Sequence, residues 1–189
     1  NALPAHIKLA YLPNYGMVRL RLTTAGYDPL AIETELNTAF DQLQLLVKQY
    51  MVTNEDLPLE KVVGNLLLSK GKTMCTAESC TGGYIAHLIT SLPGSSAFYD
   101  GSVVSYSYGA KEDLLDVDHE TLLHKGAVSE EVATAMARGA LQHIKSDYVI
   151  AVSGIMGPGG GLPEKPVGTV WAAIGNKDKI VTQKLCAGQ

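Results

Sequence analysis

The stretch TAESCTGG, residues 76–83, sets Glu78, Ser79 and Cys80 side by side ahead of Thr81, Gly82 and Gly83. A small apolar run, TMCTA, leads into it, and a helix-like run, YIAHLITSL, follows. The polar residues are therefore predicted to lie where a strand ends and a helix begins, which is where α/β folds carry their chemistry. Backbone N–H groups at a helix start have no partner inside the helix. They suit an anion, either a phosphate or the oxyanion of a tetrahedral intermediate. Two glycines let a ligand approach the backbone closely. An ordinary N-capped turn would use the same residue types.

Ser79 is a weak nucleophile without a base. His87 falls on the following helix, but no motif frames it, so a packed or surface histidine is the plainer reading. YSYGAKEDLL, residues 106–115, offers Lys111 at the expected start of a short helix after a strand. The helix dipole there disfavours the protonated ammonium, the direction a general base requires. Tyr106, at the expected strand end, is placed to relay a proton or orient the lysine. A solvated lysine and a half-buried strand tyrosine are the plainer alternative.

SGIMGPGGGLPEKPVGTV, residues 153–170, follows a buried apolar run, so it too belongs at a strand end. It is not a phosphate-binding P-loop, because no Gly-Lys-Ser/Thr closes it. Nor is it a dinucleotide fingerprint, because the glycine spacing differs and no helix follows. A glycine loop of this length at a strand end reads as a ligand loop or as a flexible connection.

The elements that must position these residues alternate. Ile7, Leu9 and Tyr11, then Val18, Leu20 and Leu22, predict a hairpin around PNYG. Ile32, Leu36, Phe40, Leu43 and Val47 recur at helical spacing. A strand is expected over 46–52, and TNEDLP reads as a linker. Residues 1–52 thus form a small α+β unit, and a second unit spans 57–189. In the second, a helix stripe (Leu59, Val62, Val63, Leu66, Leu67) is followed by a strand over 73–77, the motif loop and a helix to about 91. After a turn at LPGSS come a strand at GSVVSYS, a short helix over 110–115 and a long helix over 130–144. Ser129 is its N-cap, with Glu130 and Glu131 in the first turn. Strands at YVIAVS, TVWAAIG and KIVTQKLC complete it. The fold class is α/β, with a mixed, largely parallel sheet and helices on both faces.

The 189 residues are 46% hydrophobic and 18% charged, enough for a packed core and against disorder. A net charge of -4 argues against a general nucleic-acid or acidic-membrane binder. No apolar run approaches a membrane span. The start, NALPAHIKLAY, lacks the pattern of a signal peptide and an initiator Met, as a piece of a longer chain would. Cys75, Cys80 and Cys186 are odd in number and lack framework spacing, so reduced thiols in a cytoplasm are expected, and Cys75 with Cys80 does not make a zinc pair.

TAESCTGG, YSYGAKEDLL, KGAVSEEVATAMARGAL and SGIMGPGGGLPEKPVGTVW together resemble the C-terminal domain of the CinA family of competence/damage-inducible proteins. That domain also occurs alone as a PncC-type nicotinamide-nucleotide amidase. The resemblance covers about residues 57–189, and residues 1–52 look like the small, KH-like linking domain that precedes it. It implies hydrolysis of the carboxamide of nicotinamide mononucleotide to nicotinic acid mononucleotide and ammonia. The catalytic serine matches Ser79, and the tyrosine and lysine match Tyr106 and Lys111. The serine–glycine loop matches Ser153, Gly154, Gly157, Gly159 and Gly160. Thr81, Gly82, Gly83, Gly168 and Thr169 complete the expected substrate-binding set. No metal or organic cofactor is implied. The expected partner is a small-molecule nucleotide, with no nucleic acid and no membrane, and the expected assembly is a homo-oligomer.

Two departures stand out. Family members commonly carry Asn two residues after the tyrosine, where this chain has Tyr108, so a polar contact is expected to be lost. The family pattern also runs past the last strand into a glycine–acid–basic motif and a final helix, where this chain reads CAGQ. A version extended by that helix is expected to turn over faster. Three rival readings stay open: attack by Cys80 with Glu78 and Lys111 as partners; a nucleotide-sensing module without turnover; and nucleic-acid binding by the first unit. The last is disfavoured, because no Gly-x-x-Gly loop is present and four basic residues through Asn54 balance four acidic ones.

Overall fold

The computed structural model describes residues 3–14 and 16–187. The chain divides into two compact units, Asn1–Asp56 and Leu57–Gln189, with the boundary inside the polar TNEDLP stretch.

In the first unit, β1 (Lys8–Asn14) and β2 (Met17–Thr23) form an antiparallel hairpin with Asn14 opposite Met17. Gly16 takes φ 72, the left-handed conformation that such a tight turn requires. Helix α1 (Pro29–Val47) starts where Asp28 accepts the N–H groups of Leu30 and Ala31 and Pro29 fixes the first φ. The strand expected over 46–52 does not form. Leu43 and Val47, one turn apart, are both half-buried, so the helical period persists to the helix end. The chain then turns, with the Tyr50 N–H donating to Val47 O at 2.8 Å.

The second unit opens with α2 (Leu59–Ser69) and β3 (Met74–Glu78), whose five residues are all buried. Next come α3 (Tyr84–Thr90), β4 (Tyr99–Val104) and α4 (Tyr108–Leu115). The fourth strand stops at Val104, three residues earlier than expected, because Ser107 turns out of the sheet to cap α4 by accepting Ala110 N–H. Helix α5 (His119–Lys125), for which the sequence carries no clear period, follows. Asp118 caps it by accepting Thr121 N–H, and Leu122 anchors it in the core with no solvent exposure. Helix α6 (Glu130–Ile144) has the expected Ser129 cap and first-turn acids. Strands β5 (Tyr148–Gly154), β6 (Thr169–Gly175) and β7 (Ile180–Cys186) end the described chain.

The sheet order is β4-β3-β5-β6-β7. β3 is parallel to β4 and to β5, while β5–β6 and β6–β7 are antiparallel. The sheet is mixed, as expected, but its parallel part is confined to three strands. The last two connections carry no crossover helix, so they can only fold back as hairpins. Alternation along β3 divides the core. Cys75 and Ala77, with Val149, Ala151 and Ala173, pack under Leu115, Leu122, Val132, Met136 and Ala140 of α4–α6. Met74, with Tyr99 and Ile150, packs under Leu67 of α2 and Ile89 of α3. Helices therefore cover both faces. After β3 the chain runs to β4 on one side and returns as β5 on the other. This makes β3 the topological switch point, and its C-terminal end the natural place for a site. No helix among the described residues is long and apolar enough to cross a membrane.

Candidate active site

Three strand ends meet at that point. The Ser79 N–H donates to Val152 O at 3.0 Å and the Ser105 N–H to Glu78 O at 2.8 Å, so the ladders continue one residue beyond β3 and β4. Ser79 thus leaves a rigid strand with its side chain at the edge of the sheet. Lys111 lies in the first turn of α4, with its N–H bonded to Ser107 O. The side chain is fully buried. Its Nζ sits 2.9 Å from Ser79 Oγ, 2.6 Å from Ser105 O and 3.4 Å from Tyr106 O.

Among the described residues, no carboxylate forms an ion pair with Lys111. Burial without a counter-ion lowers its pKa below the ordinary 10.5, since desolvation disfavours the charged form. The neutral amine has two N–H donors and one lone pair. Two carbonyl oxygens take the donors, which leaves the lone pair for the Ser79 hydroxyl proton. The contacts thus match a neutral lysine acting as base toward a serine.

Cys80 makes no hydrogen bond to Lys111 or Ser79 among the described residues. Its Sγ lies against Gly154, where a Cβ would come within 3.1 Å of it. Burial raises its thiol pKa, so the reactive thiolate is disfavoured. Of the adjacent pair only the serine bonds to the lysine, although Cys80, in the turn beyond β3, is near enough for Lys111 to influence its thiol.

The turn after Ser79 differs from expectation in which N–H groups are free. Glu78 is fully buried and reaches over the start of α3. Its carboxylate accepts the N–H groups of Gly83 at 3.1 Å, Ile85 at 3.0 Å and Ala86 at 2.8 Å. Gly82 N–H donates to Ser79 O. Gly82 and Gly83 therefore supply no donor to a ligand. No oxygen accepts the N–H of Cys80 or Thr81 among the described residues, and both lean toward the Cys80 sulfur. Thr81 Oγ1 is buried and unpartnered. Sequence reasoning missed the cap because it comes from a strand residue five to eight positions upstream, outside local capping patterns. A buried polar set supports Glu78 from behind, with Thr76 Oγ1 2.6 Å from the Tyr99 hydroxyl and 2.8 Å from Ser102 Oγ.

The structure places the other expected residues unevenly. Tyr106 presents its carbonyl, not its hydroxyl, to Lys111, and the residue is 79% exposed. The tyrosine lies past the end of β4, which frees its side chain from the sheet. Ser153 is buried and donates to Ala127 O at 2.7 Å, so it fastens the α5–α6 connection instead of facing a ligand. Gly154 is packed between Val170 and Cys80. Gly157, Gly159 and Gly160 lie in the exposed outer part of the 155–168 loop, with no hydrogen bond to the dyad. Gly168 closes the loop base, bonded to Ile155 O and Ala187 N. Thr169 is buried with its hydroxyl unpartnered. Tyr108, where an Asn contact was expected to be lost, accepts Ala127 N–H at 3.2 Å, so a polar contact is present. His87 stacks on Tyr84 and does not join the dyad. Among the described residues, no group of three or more His, Cys, Asp or Glu side chains gathers as a metal ion would require.

Residues 56–189 match the family model for the CinA C-terminal domain. The chain is 46% identical over 184 residues to a CinA-like protein of Cytophaga hutchinsonii, covering 97% of this chain and 44% of that protein. It is 44% identical over 178 residues to one of Chloroherpeton thalassium, covering 94% and 42%. The chain therefore spans less than half the length of these curated relatives. Among solved structures, it resembles the competence/damage inducible protein CihA of Agrobacterium tumefaciens, with a TM-score of 0.67, 42% identity, and 68% and 79% of the two chains covered. A competence-damaged protein (CinA) superfamily protein of Escherichia coli gives a TM-score of 0.67 at 33% identity, covering 74% and 78%.

Proposed function

The chain belongs to the CinA family, and from that premise we propose that its second unit is an amidohydrolase acting on the carboxamide of nicotinamide mononucleotide. The observation that carries this reading is the 2.9 Å contact between Ser79 Oγ and the buried Lys111 Nζ. The neutral amine takes the hydroxyl proton as Oγ attacks the carboxamide carbon. The carbonyl π electrons move to oxygen, and the backbone N–H groups of Cys80 and Thr81, bonded to no oxygen among the described residues and set only against the Cys80 sulfur, are the donors that shift to the oxyanion. On collapse, the C–N bond breaks and the Lys111 ammonium gives its proton to the departing amine, releasing ammonia. Water then attacks the acyl-serine with Lys111 again as base, giving the carboxylic acid and restoring Ser79.

Tyr106 works through its main chain in this scheme. Its carbonyl, with that of Ser105, holds Nζ in line. The thiol alternative is disfavoured by the raised thiol pKa and by the contact of Cys80 with Gly154. The deciding experiment is an ammonia-release assay with nicotinamide mononucleotide on the purified chain and on Ser79→Ala. Release by the first and none by the second is expected. Binding of the nucleotide without ammonia release would replace the amidase with a nucleotide-sensing module.

A further inference from the structure

We propose that Lys165 and Tyr108 form the seat for an anionic group of the ligand, which under the amidase reading is the phosphate monoester of the mononucleotide. The proposal rests on that reading for the identity of the ligand and on geometry for the seat.

Lys165, on the glycine loop, donates from Nζ to Lys125 O at 2.6 Å, the last carbonyl of α5. An ammonium has three N–H groups. Among the described residues, the other two have no acceptor and no carboxylate pairs with this lysine. Tyr108 uses its hydroxyl oxygen to accept Ala127 N–H, which leaves the O–H free to donate. The two groups converge. A Cβ built on Gly126 would lie 3.6 Å from Lys165 Nζ and 4.0 Å from the Tyr108 hydroxyl. The backbone under them is fixed from both sides, because Ser153 Oγ holds Ala127 O while Tyr108 holds Ala127 N. The nearby acid, Glu131, is 2.7 Å from Lys125 and is satisfied there, although it also feels Lys165. A fixed cation beside a free hydroxyl donor suits an oxyanion.

The seat is also linked to the dyad. Tyr108 and Lys111 are three residues apart in α4, so they share a helix face. Along the helix axis the two are about 4.5 Å apart, within the length of a mononucleotide.

The test compares ammonia release from nicotinamide mononucleotide and from the same nucleoside without its phosphate. The wild type, Lys165→Met, Lys165→Arg and Tyr108→Phe are measured, alongside a calorimetric titration of wild type and Lys165→Met with inorganic phosphate. The ratio of kcat/KM for the phosphorylated over the unphosphorylated substrate should fall about tenfold or more in Lys165→Met, the worth of one charge-assisted hydrogen bond. It should recover in Lys165→Arg and fall less in Tyr108→Phe. Phosphate should bind the wild type more tightly than Lys165→Met. An unchanged ratio with phosphate binding equal or absent in both proteins would overturn the proposal and leave Lys165 as a fastener of the loop to α5. If the wild type releases ammonia from neither substrate, the amidase reading fails, and the phosphate titration alone decides the seat.

Discussion

Lys111 has no solvent contact and, among the described residues, no carboxylate counter-ion, so the charged form is the one that burial opposes. At the scale of single residues this fixes the division of labour between neighbours. Ser79→Ala should lower amide hydrolysis by at least ~1000-fold, and Lys111→Ala should match it, because the two act as one unit. Cys80→Ala should keep most activity. The reverse pattern in steady-state ammonia assays, with Cys80 essential and Ser79 dispensable, would transfer the mechanism to the thiol. Tyr106→Phe should retain most of the rate, because the group near Nζ is its carbonyl and not its hydroxyl. A loss comparable to the serine variant would show that the phenol enters the site when substrate is bound. The pH profile belongs with these residues. Acylation needs the neutral amine, so kcat/KM should rise with pH through the lowered lysine pKa and level off below 10.5, the ordinary lysine value. A profile still climbing beyond that value would mean an unperturbed lysine.

Elements decide whether those residues can meet. Glu78 ties the end of β3 to the start of α3 through three N–H groups, fixing the turn that carries Ser79. Removing its carboxylate leaves these donors without their acceptor, and each buried unmet donor costs about 1–3 kcal/mol. Glu78→Ala should therefore lower the melting temperature and the turnover together, while Glu78→Gln, which keeps one acceptor oxygen, should restore part of both. An unchanged melting temperature in Glu78→Ala would mean that water replaces the carboxylate at no cost. The motif TAESCTGG was legible as a strand-to-helix turn because the apolar period changes across it. The cap was not legible, since Glu78 acts over a distance no helix-start pattern encodes. Helix α5 escaped notice because seven residues with two buried or half-buried positions, Thr121 and Leu122, give too short a period to read. The strand expected over 46–52 failed for the opposite reason, as β-prone Val47 and Val52 lay beside a helix whose period ran through Val47. Serine and lysine were legible as types. Their contact spans 32 residues of sequence and follows only from the order of strands β4-β3-β5.

At the scale of the whole molecule, the buried lysine couples the site to folding. In the unfolded chain Lys111 titrates near 10.5, and in the folded chain lower. Between those two values the unfolded state binds a proton that the folded state lacks, so this residue makes stability fall as pH is lowered through the window. Other groups titrate nearby with the opposite sign. Cys75, Cys80 and Tyr99 are raised by burial, so above their ordinary values the unfolded state loses protons that the folded state keeps, and stability drops as pH rises. Lys72, raised by its bond to Asp147, adds stability below its ordinary value that is lost as pH climbs through the folded one. A single melting curve against pH would mix these effects, while the difference between two proteins removes all of them except those of Lys111 and of Cys80, whose thiol Lys111 influences. Lys111→Met keeps the apolar stem and removes the titration. Its offset at high pH depends on how Ser105 O and Tyr106 O fare without a donor, so the prediction concerns the slope. The melting temperature of Lys111→Met minus that of the wild type should become more positive as pH is lowered below 10.5, the ordinary lysine value. A flat or inverted difference would mean that Lys111 keeps its proton in the folded protein, and a protonated lysine could not begin the reaction by taking one from Ser79.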